Sequence, residues 1–444
     1  MRDVLEEAFK KHQEGDLTGA KKLYEALLNR DVDNPQLLYL LGDIELRNGN
    51  HGHAITLLQS SLSEDESQQH AWIDLGCAYK AEHYNDLAET SWKKALEFGE
   101  NCEVLNNMAT LYADSNQPDR ALSLTSLAIK HEPDNASVHW NMALALLTKG
   151  DWKQGWIEHE WRKKVAVKSI GKRDYAPEWS GKKCNRLIVH GEQGIGDEIM
   201  YLHCLRDILP FAREVIVEAE PRLAKLVAHT YGLKCFGSMD EAKPYGPYDY
   251  QIGMGTLPKW FRNEDSDFLA EPPPYLTADP DLVQEAKELL KDIPRPWIGV
   301  SWLGGTKQTR VHHRSISAKI MKDIVGDKGS PISLQYGHLT DNEADKSGIP
   351  RFGEWTDGKD MMKLAAMVEC MDHVITVCTT LVHLAGALGK TAWIMAPKNN
   401  SWRYGQREGD GAMLWYPQHR IYRQKEIGEW KSVIDRVTED FAKW

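Results

Sequence analysis

Ala71-Trp72-Ile73-Asp74-Leu75-Gly76-Cys77-Ala78-Tyr79, followed by Ala88, Trp92 and Ala95, is the stretch that decides the fold of this chain. Its large residues recur at helical spacing, and its small ones stand where two helices would have to touch. Working outward, the small residue of the second helix returns at Ala20, Ala54, Ala88, Ala121 and Gly155, at spacings of 34, 34, 33 and 34. Leu41-Gly42 with Ala54 makes a second clear copy, and Met108-Ala109 with Tyr112, Ala121, Ala128 and Pro133 makes another. A lone helix pair cannot bury its apolar stripe, so such copies stack into a solenoid with a concave groove.

The period and its large and small positions match the tetratricopeptide repeat. About five repeats are expected over residues 1–165, the terminal ones weaker. The last copy runs into Gly150-Asp151-Trp152-x-x-Gly155-Trp156-x-x-x-Glu160-Trp161-Arg162. Its three tryptophans are expected to form an apolar cap that docks the solenoid on the next domain.

Composition sets the bounds. At 444 residues about three domain-sized units are expected. The net charge of -11 is concentrated in front: residues 1–165 hold 17 Lys and Arg against 27 Asp and Glu, while the rest is nearly balanced. With no overall basic excess, nucleic acid is not the expected partner. The charged start MRDVLEEAFKKH does not read as a secretory signal, and no apolar run approaches a membrane span. Seven cysteines without CxxC spacing fit reduced thiols, and a cytoplasmic location is expected.

Nine Lys and Arg crowd residues 162–186 (Arg162, Lys163, Lys164, Lys168, Lys172, Arg173, Lys182, Lys183 and Arg186), with Gly171, Pro177 and Gly181. This reads as a basic linker over 166–185, solvated or in contact with the acidic repeats or a phosphate. From Arg186 short apolar runs alternate with helical segments, the pattern of parallel α/β sheets. Strands are expected at 186–190, 214–218 and 248–252, and then at 297–302, 332–336, 374–378 and 392–396. Helices are expected at 197–209, from Pro221, and at 317–325, 359–371, 381–388 and 428–443. Pro272-Pro273-Pro274 marks a boundary between two α/β units, and ligands of such sheets bind beyond the carboxyl ends of strands.

Three loops meet that condition. Gly191-Glu192-Gln193-Gly194-Ile195-Gly196-Asp197 lacks a sixth-position glycine at Ile199, so it is no dinucleotide fingerprint. Gly194 and Gly196 still permit close backbone approach to a ligand. Asp197 reads either as a helix cap or as a carboxylate able to accept a proton from a hydroxyl. Cys378-Thr379-Thr380, with His383 a turn later, is an anion site at a helix N-terminus suited to a diphosphate; a packed, hydrogen-bonded histidine is the other reading of His383. Trp302-Leu303-Gly304-Gly305-Thr306-Lys307, followed by Arg310, His312, His313, Arg314 and Ser315, joins a glycine turn to basic residues. Adjacent histidines without nearby carboxylate or cysteine are a poor ligand set, and Asp279-Pro280-Asp281 reads as a helix cap, so no metal is expected.

Taken together, the GDWxxGWxxxEWR ending of the repeats, PEWSG at 177–181, the EQGIGD loop, VHLAGALG at 382–389, Trp402-Arg403, Trp415-Tyr416-Pro417 and Arg420–Gln424 resemble bacterial tetratricopeptide-repeat glycosyltransferases. Their catalytic half is similar to the heptosyltransferases and has a GT-B fold of two Rossmann-like parallel-sheet domains. The resemblance implies an acceptor-side domain over 186–278, a donor domain over 279–426 and a C-terminal helix over 427–444. It further implies inverting, metal-independent transfer of a sugar from a nucleotide-sugar to a protein or glycan acceptor recruited by the repeat groove, with no other cofactor. Asp197 matches the general base, and Thr379, Thr380 and His383 match the donor-phosphate loop. Trp302, Gly304, Arg314 and Ser315 match the first donor-domain loop, Gln335 lines the nucleotide site, and Arg403 joins the donor-binding set with Gly194 and Gly196. Two positions depart from the pattern: Cys378 stands where the family has Asp, and Tyr336 where it often has Lys. Those departures support the other reading, a repeat scaffold carrying a GT-B unit that has lost turnover.

Overall fold

The computed structural model describes residues 2–165, 173–268, 273–305, 311–336, 341–405 and 411–444; the side chains of residues 312, 341 and 342 are not described. Lys168, Gly171, Lys172, Pro272, Thr306, Lys307 and Arg310, singled out above, lie outside these residues. The chain divides into two compact units, Met1–Ala145 and Leu146–Trp444.

The first unit is helical throughout. Antiparallel pairs run Arg2–Gln13 with Leu17–Leu28, Pro35–Arg47 with His51–Glu64, Gln69–Ala81 with Asn85–Glu97, and Cys102–Asp114 with Pro118–His131; Ala136–Lys149 begins the next pair. The small residues do what their spacing requires. Ala20, Ala54, Ala88 and Ala121 are buried, as are Ala8, Ala109 and Ala143 on the first helices. A Cβ on Gly76 would lie 2.4 Å from Nε1 of Trp92, and one on Gly42 would lie 2.8 Å from Cγ of Leu58. Trp92 is fully buried and donates its indole N–H to the Ile73 carbonyl at 3.1 Å, so a large apolar ring is seated with its one polar group satisfied.

The second unit begins at Leu146, inside the Ala136–Lys149 helix, and so includes the Trp152–His159 helix, which the repeat period groups with residues 1–165. Trp156 is buried and donates to the Arg262 carbonyl at 2.7 Å, and Trp152 donates to Asp265 at 2.7 Å. Trp161 instead carries the Lys164 ammonium 3.9 Å above its ring.

Two sheets come next. The first comprises β1 (Cys184–His190), β2 (Ala212–Glu218), β3 (Lys234–Phe236) and β4 (Tyr250–Gly253), all parallel, in the order β3-β2-β1-β4. The second comprises β5 (Trp297–Ser301), β6 (Ser330–Ser333), β7 (His373–Val377), β8 (Ala392–Ala396), β9 (Gly411–Ala412) and β10 (Arg420–Arg423). Its order is β6-β5-β7-β8-β10-β9, parallel except for β9. Strands such as Leu187–Val189 and the whole of β7 are buried, as expected where helices cover both faces. In the first sheet the chain steps outward from β1 to β2 and β3, then returns to place β4 on the other side of β1. In the second, β6 and β7 lie on opposite sides of β5. Those reversals put the crevices beyond the ends of β1, β5 and β7. The Lys431–Lys443 helix packs Val433, Val437 and Phe441 into the core of the second sheet.

The described part of the basic segment is not a free linker. Trp179 N donates to Gln251 O at 2.8 Å and Gln251 N to Pro177 O at 2.9 Å, so it pairs along β4. Arg173 holds the Glu218 carboxylate at 2.7 Å, Arg186 holds Glu214 at 2.8 Å, and Arg162 is fully buried. Fixed partners, rather than solvent, take these charges.

Candidate functional site

The loop after β1 turns through Gln193, whose φ of 71° is left-handed, and enters the Ile195–Tyr201 helix. Asp197 lies in the first turn, and its own N–H donates to the Gly194 carbonyl at 2.8 Å. One carboxylate oxygen faces Gly194 N at 3.4 Å, a long capping contact. The other is ion-paired with Nε of Arg403, and both side chains are about one-fifth exposed. Arg403 also donates to Ser401 Oγ at 2.8 Å, faces Gln193 Oε1 at 3.4 Å, and has its guanidinium carbon 4.7 Å over the Trp402 ring. Asp197 is therefore more than a cap: its strong partner comes from the turn beyond β8.

The loop after β7 arrives at the same place. Thr379 caps the Thr380–Ala387 helix, its Oγ1 accepting from Leu381 N at 3.2 Å. A Cβ on Gly196 would stand 3.3 Å from both Thr380 Oγ1 and His383 Cδ2, so the two helices meet where Gly196 has no side chain. His383 is buried and Nδ1 has no hydrogen-bond partner. Burial, reinforced by Arg403, pushes its pKa down to about 3, so it is neutral at ordinary pH. Tyr201 Oη and Gln193 Nε2, on the Asp197 side, are likewise buried without a partner. Buried polar atoms left unpaired beside an ion pair are what a ligand's hydroxyls would satisfy.

The loop after β5 completes the junction. A Cβ on Gly304 would lie 2.8 Å from the Cys378 carbonyl and 3.0 Å from that of Arg314. Gly304 N donates to Ser315 Oγ at 3.1 Å, and Arg314 Nη2 to Cys378 O at 2.8 Å. Gln335 Oε1 accepts from Ser301 Oγ, Trp302 N and Leu303 N at 2.8, 3.0 and 2.8 Å, which fixes the loop's shape. Trp302 is fully buried and donates to Glu343 at 2.9 Å, so its indole anchors the loop from behind. The thiol of Cys378 is turned inward toward the Met395 carbonyl at 4.0 Å, and burial raises its pKa to about 11. Tyr336 Oη donates to Thr380 Oγ1 at 2.8 Å, tying the segment after β6 to the helix N-terminus.

The structure brings Gly196 against Thr380 and His383 and pairs Asp197 with Arg403, whereas Trp302 and Gln335 hold the loop after β5 through Glu343 and the loop's own polar groups. Three partners went unread in the sequence. Gln193 and Tyr201 flank Asp197, and Tyr201 comes four residues after it, the spacing of one helix face. Glu192 looked like an ordinary loop residue, and only its burial against Arg162 marks it.

A tetratricopeptide repeat family model matches residues 13–70 and 106–154. The N-terminal region is built of tetratricopeptide repeats. Over most of its length the chain is also similar to Protein FlbA of Caulobacter vibrioides, with 26% identity over 428 residues, covering 88% of this chain and 70% of FlbA. Among solved structures, MamA is 21% identical, with a TM-score of 0.33, covering 35% of this chain and 92% of MamA. A thermophilic tetratricopeptide-repeat protein of Thermus thermophilus is 18% identical, with a TM-score of 0.32, covering 38% of this chain and 92% of that protein. No helix among the described residues is long and apolar enough to cross a membrane.

Proposed function

We propose that the second unit is a GT-B glycosyltransferase, inverting and metal-independent, acting on an acceptor recruited by the repeats. The observation that carries this reading is the meeting of the Asp197 helix with the Thr380–Ala387 helix across two parallel sheets, with Gly196 against Thr380 and His383. Asp197 takes the proton of an acceptor hydroxyl as its oxygen attacks the anomeric carbon. The bond to the nucleoside diphosphate breaks on the opposite face, and the leaving group carries away the electron pair. The helix N-terminus at Thr380 and the Arg314 guanidinium receive its charge. At rest the Asp197 carboxylate is occupied by its ion pair with Arg403. In this reading donor phosphate oxygens draw Arg403 away and leave an Asp197 oxygen free to take the proton of the acceptor hydroxyl. Neutral His383 adds a hydrogen-bonding ring without another charge.

The second reading is a GT-B unit without turnover in a protein-interaction scaffold. Cys378 favours it: where the family has an aspartate, this thiol is buried against Met395 and offers nothing to a donor. A panel of nucleoside diphosphates and nucleotide-sugars, scored by thermal shift and by sugar release, separates the two. Ligand at about a hundred times its Kd stabilises by about 2.7 kcal/mol. Binding with release supports the enzyme, binding alone supports the scaffold, and no stabilisation by any of them at millimolar concentration removes the nucleotide-sugar site.

A further inference from the structure

We propose that Arg162, from the segment that comes after the last repeat, is the positioning residue for the Asp197 loop, acting through Glu192. The guanidinium is fully buried, and each of its five N–H donors has an acceptor. Nε donates to Glu192 Oε2 at 3.1 Å, and Nη2 to Glu192 Oε1 at 2.5 Å and Thr256 Oγ1 at 2.9 Å. Nη1 donates to Glu160 Oε1 at 2.7 Å and to the His159 carbonyl at 3.1 Å. The acceptors close on one another: Glu192 Oε1 also takes Gly255 N at 2.8 Å, and Thr256 Oγ1 donates to Glu160 at 2.8 Å. Lys163 holds the other Glu160 oxygen at 3.1 Å. The backbone is shaped to the network, since a Cβ on Gly253 or on Gly255 would lie 2.7 Å from Glu192 Oε1. Burial alone would raise the pKa of Glu160, but Arg162 and Lys163 outweigh it and hold the value at about 2.

A buried guanidinium with two carboxylates costs desolvation that apolar packing would avoid, so stability is a poor reason for it. Its location supplies a better one. Glu192 directly precedes Gln193, whose left-handed backbone and Arg403 contact set the turn into the Asp197 helix. Fixing the Glu192 carboxylate at both oxygens fixes the start of that turn. The function assigned to this positioning rests on Asp197 being the base, whereas the clamp itself does not.

The test uses the full chain with Arg162→Lys, which keeps the charge and loses the fork, and Glu192→Gln, which keeps size and the acceptor for Gly255 N. Amide exchange over residues 191–198 is expected to rise about tenfold in both variants, with residues 1–145 unchanged. For sugar transfer, kcat is expected to fall about 100-fold with donor KM within about twofold, as for a misplaced catalytic group. The acidic limb of the pH–rate profile shifts as well. Wild-type exchange over 191–198 in both variants overturns the clamp, and a wild-type kcat and pH profile overturns positioning. If the wild-type chain transfers no sugar, the transferase reading fails while the exchange data still decide the clamp. If Arg162→Lys does not fold, Glu192→Gln carries the same outcomes.

Discussion

Arg403 and Asp197 come from positions 206 residues apart and meet as an ion pair whose surroundings include the buried, unpaired Gln193 Nε2, Tyr201 Oη, His383 Nδ1 and Trp402 Nε1. On the transferase reading the pair is a resting arrangement, and Arg403 belongs to the donor once it binds. Arg403→Met is then expected to weaken nucleoside diphosphate binding by roughly 10- to 100-fold, the worth of a charged hydrogen bond, in a calorimetric titration. Glu198 is the next residue along the helix. It is buried with one oxygen accepting from Glu220 N at 2.8 Å, and burial, with the nearby Glu220 and Glu218 carboxylates, raises its pKa to about 8. The folded state therefore keeps a proton that the unfolded chain releases near pH 4.5. Stability from this group is full below that value and is lost as pH rises towards 8, by on the order of 1 kcal/mol per pH unit. Glu198→Gln keeps the acceptor and removes the proton. Its denaturation midpoint relative to wild type is expected to improve between about pH 5 and about pH 8.5, and a constant difference across that range would contradict the assignment.

At the scale of elements, the repeats were legible because their chemistry is periodic: Gly42, Gly76 and the alanines are small for one steric reason repeated along the chain. Gly76→Ala places a methyl against the rigid Trp92 indole, and a destabilisation of about 1–3 kcal/mol is expected in chemical denaturation. Gly99→Ala offers a control for crowding, since no atom lies near its Cβ position, although its φ of 136° adds backbone strain of its own. The long strands β1, β2, β5, β7 and β8 were legible as apolar runs, whereas β3 and the two-residue β9 are too short to leave a pattern. In the described segment 173–186 Lys182 and Lys183 are exposed, as charge suggests, but Arg173 and Arg186 are not. Its hydrogen bonds to Gln251 and the ion pairs of Arg173 and Arg186 are long-range, and no local signal announces them. The same applies to Arg162, whose partner Glu192 is thirty residues away.

For the whole molecule, an acidic array of tetratricopeptide repeats precedes a unit of two parallel sheets whose topological reversals coincide with the three loops read from the sequence. That coincidence was foreseeable in part: strand ends and glycine turns can be read locally, but the meeting of Gly196 with Thr380 and His383 depends on how two sheets pack. In the proposed function this junction transfers a sugar with Asp197 as base. The most direct measurement compares wild type and Asp197→Ala for donor binding and for sugar transfer, using a nucleotide-sugar that binds the wild-type chain. Transfer is expected in wild type, and in the variant donor affinity within about threefold with transfer reduced at least about 100-fold, the scale of a lost general base. Transfer retained by Asp197→Ala would contradict that role.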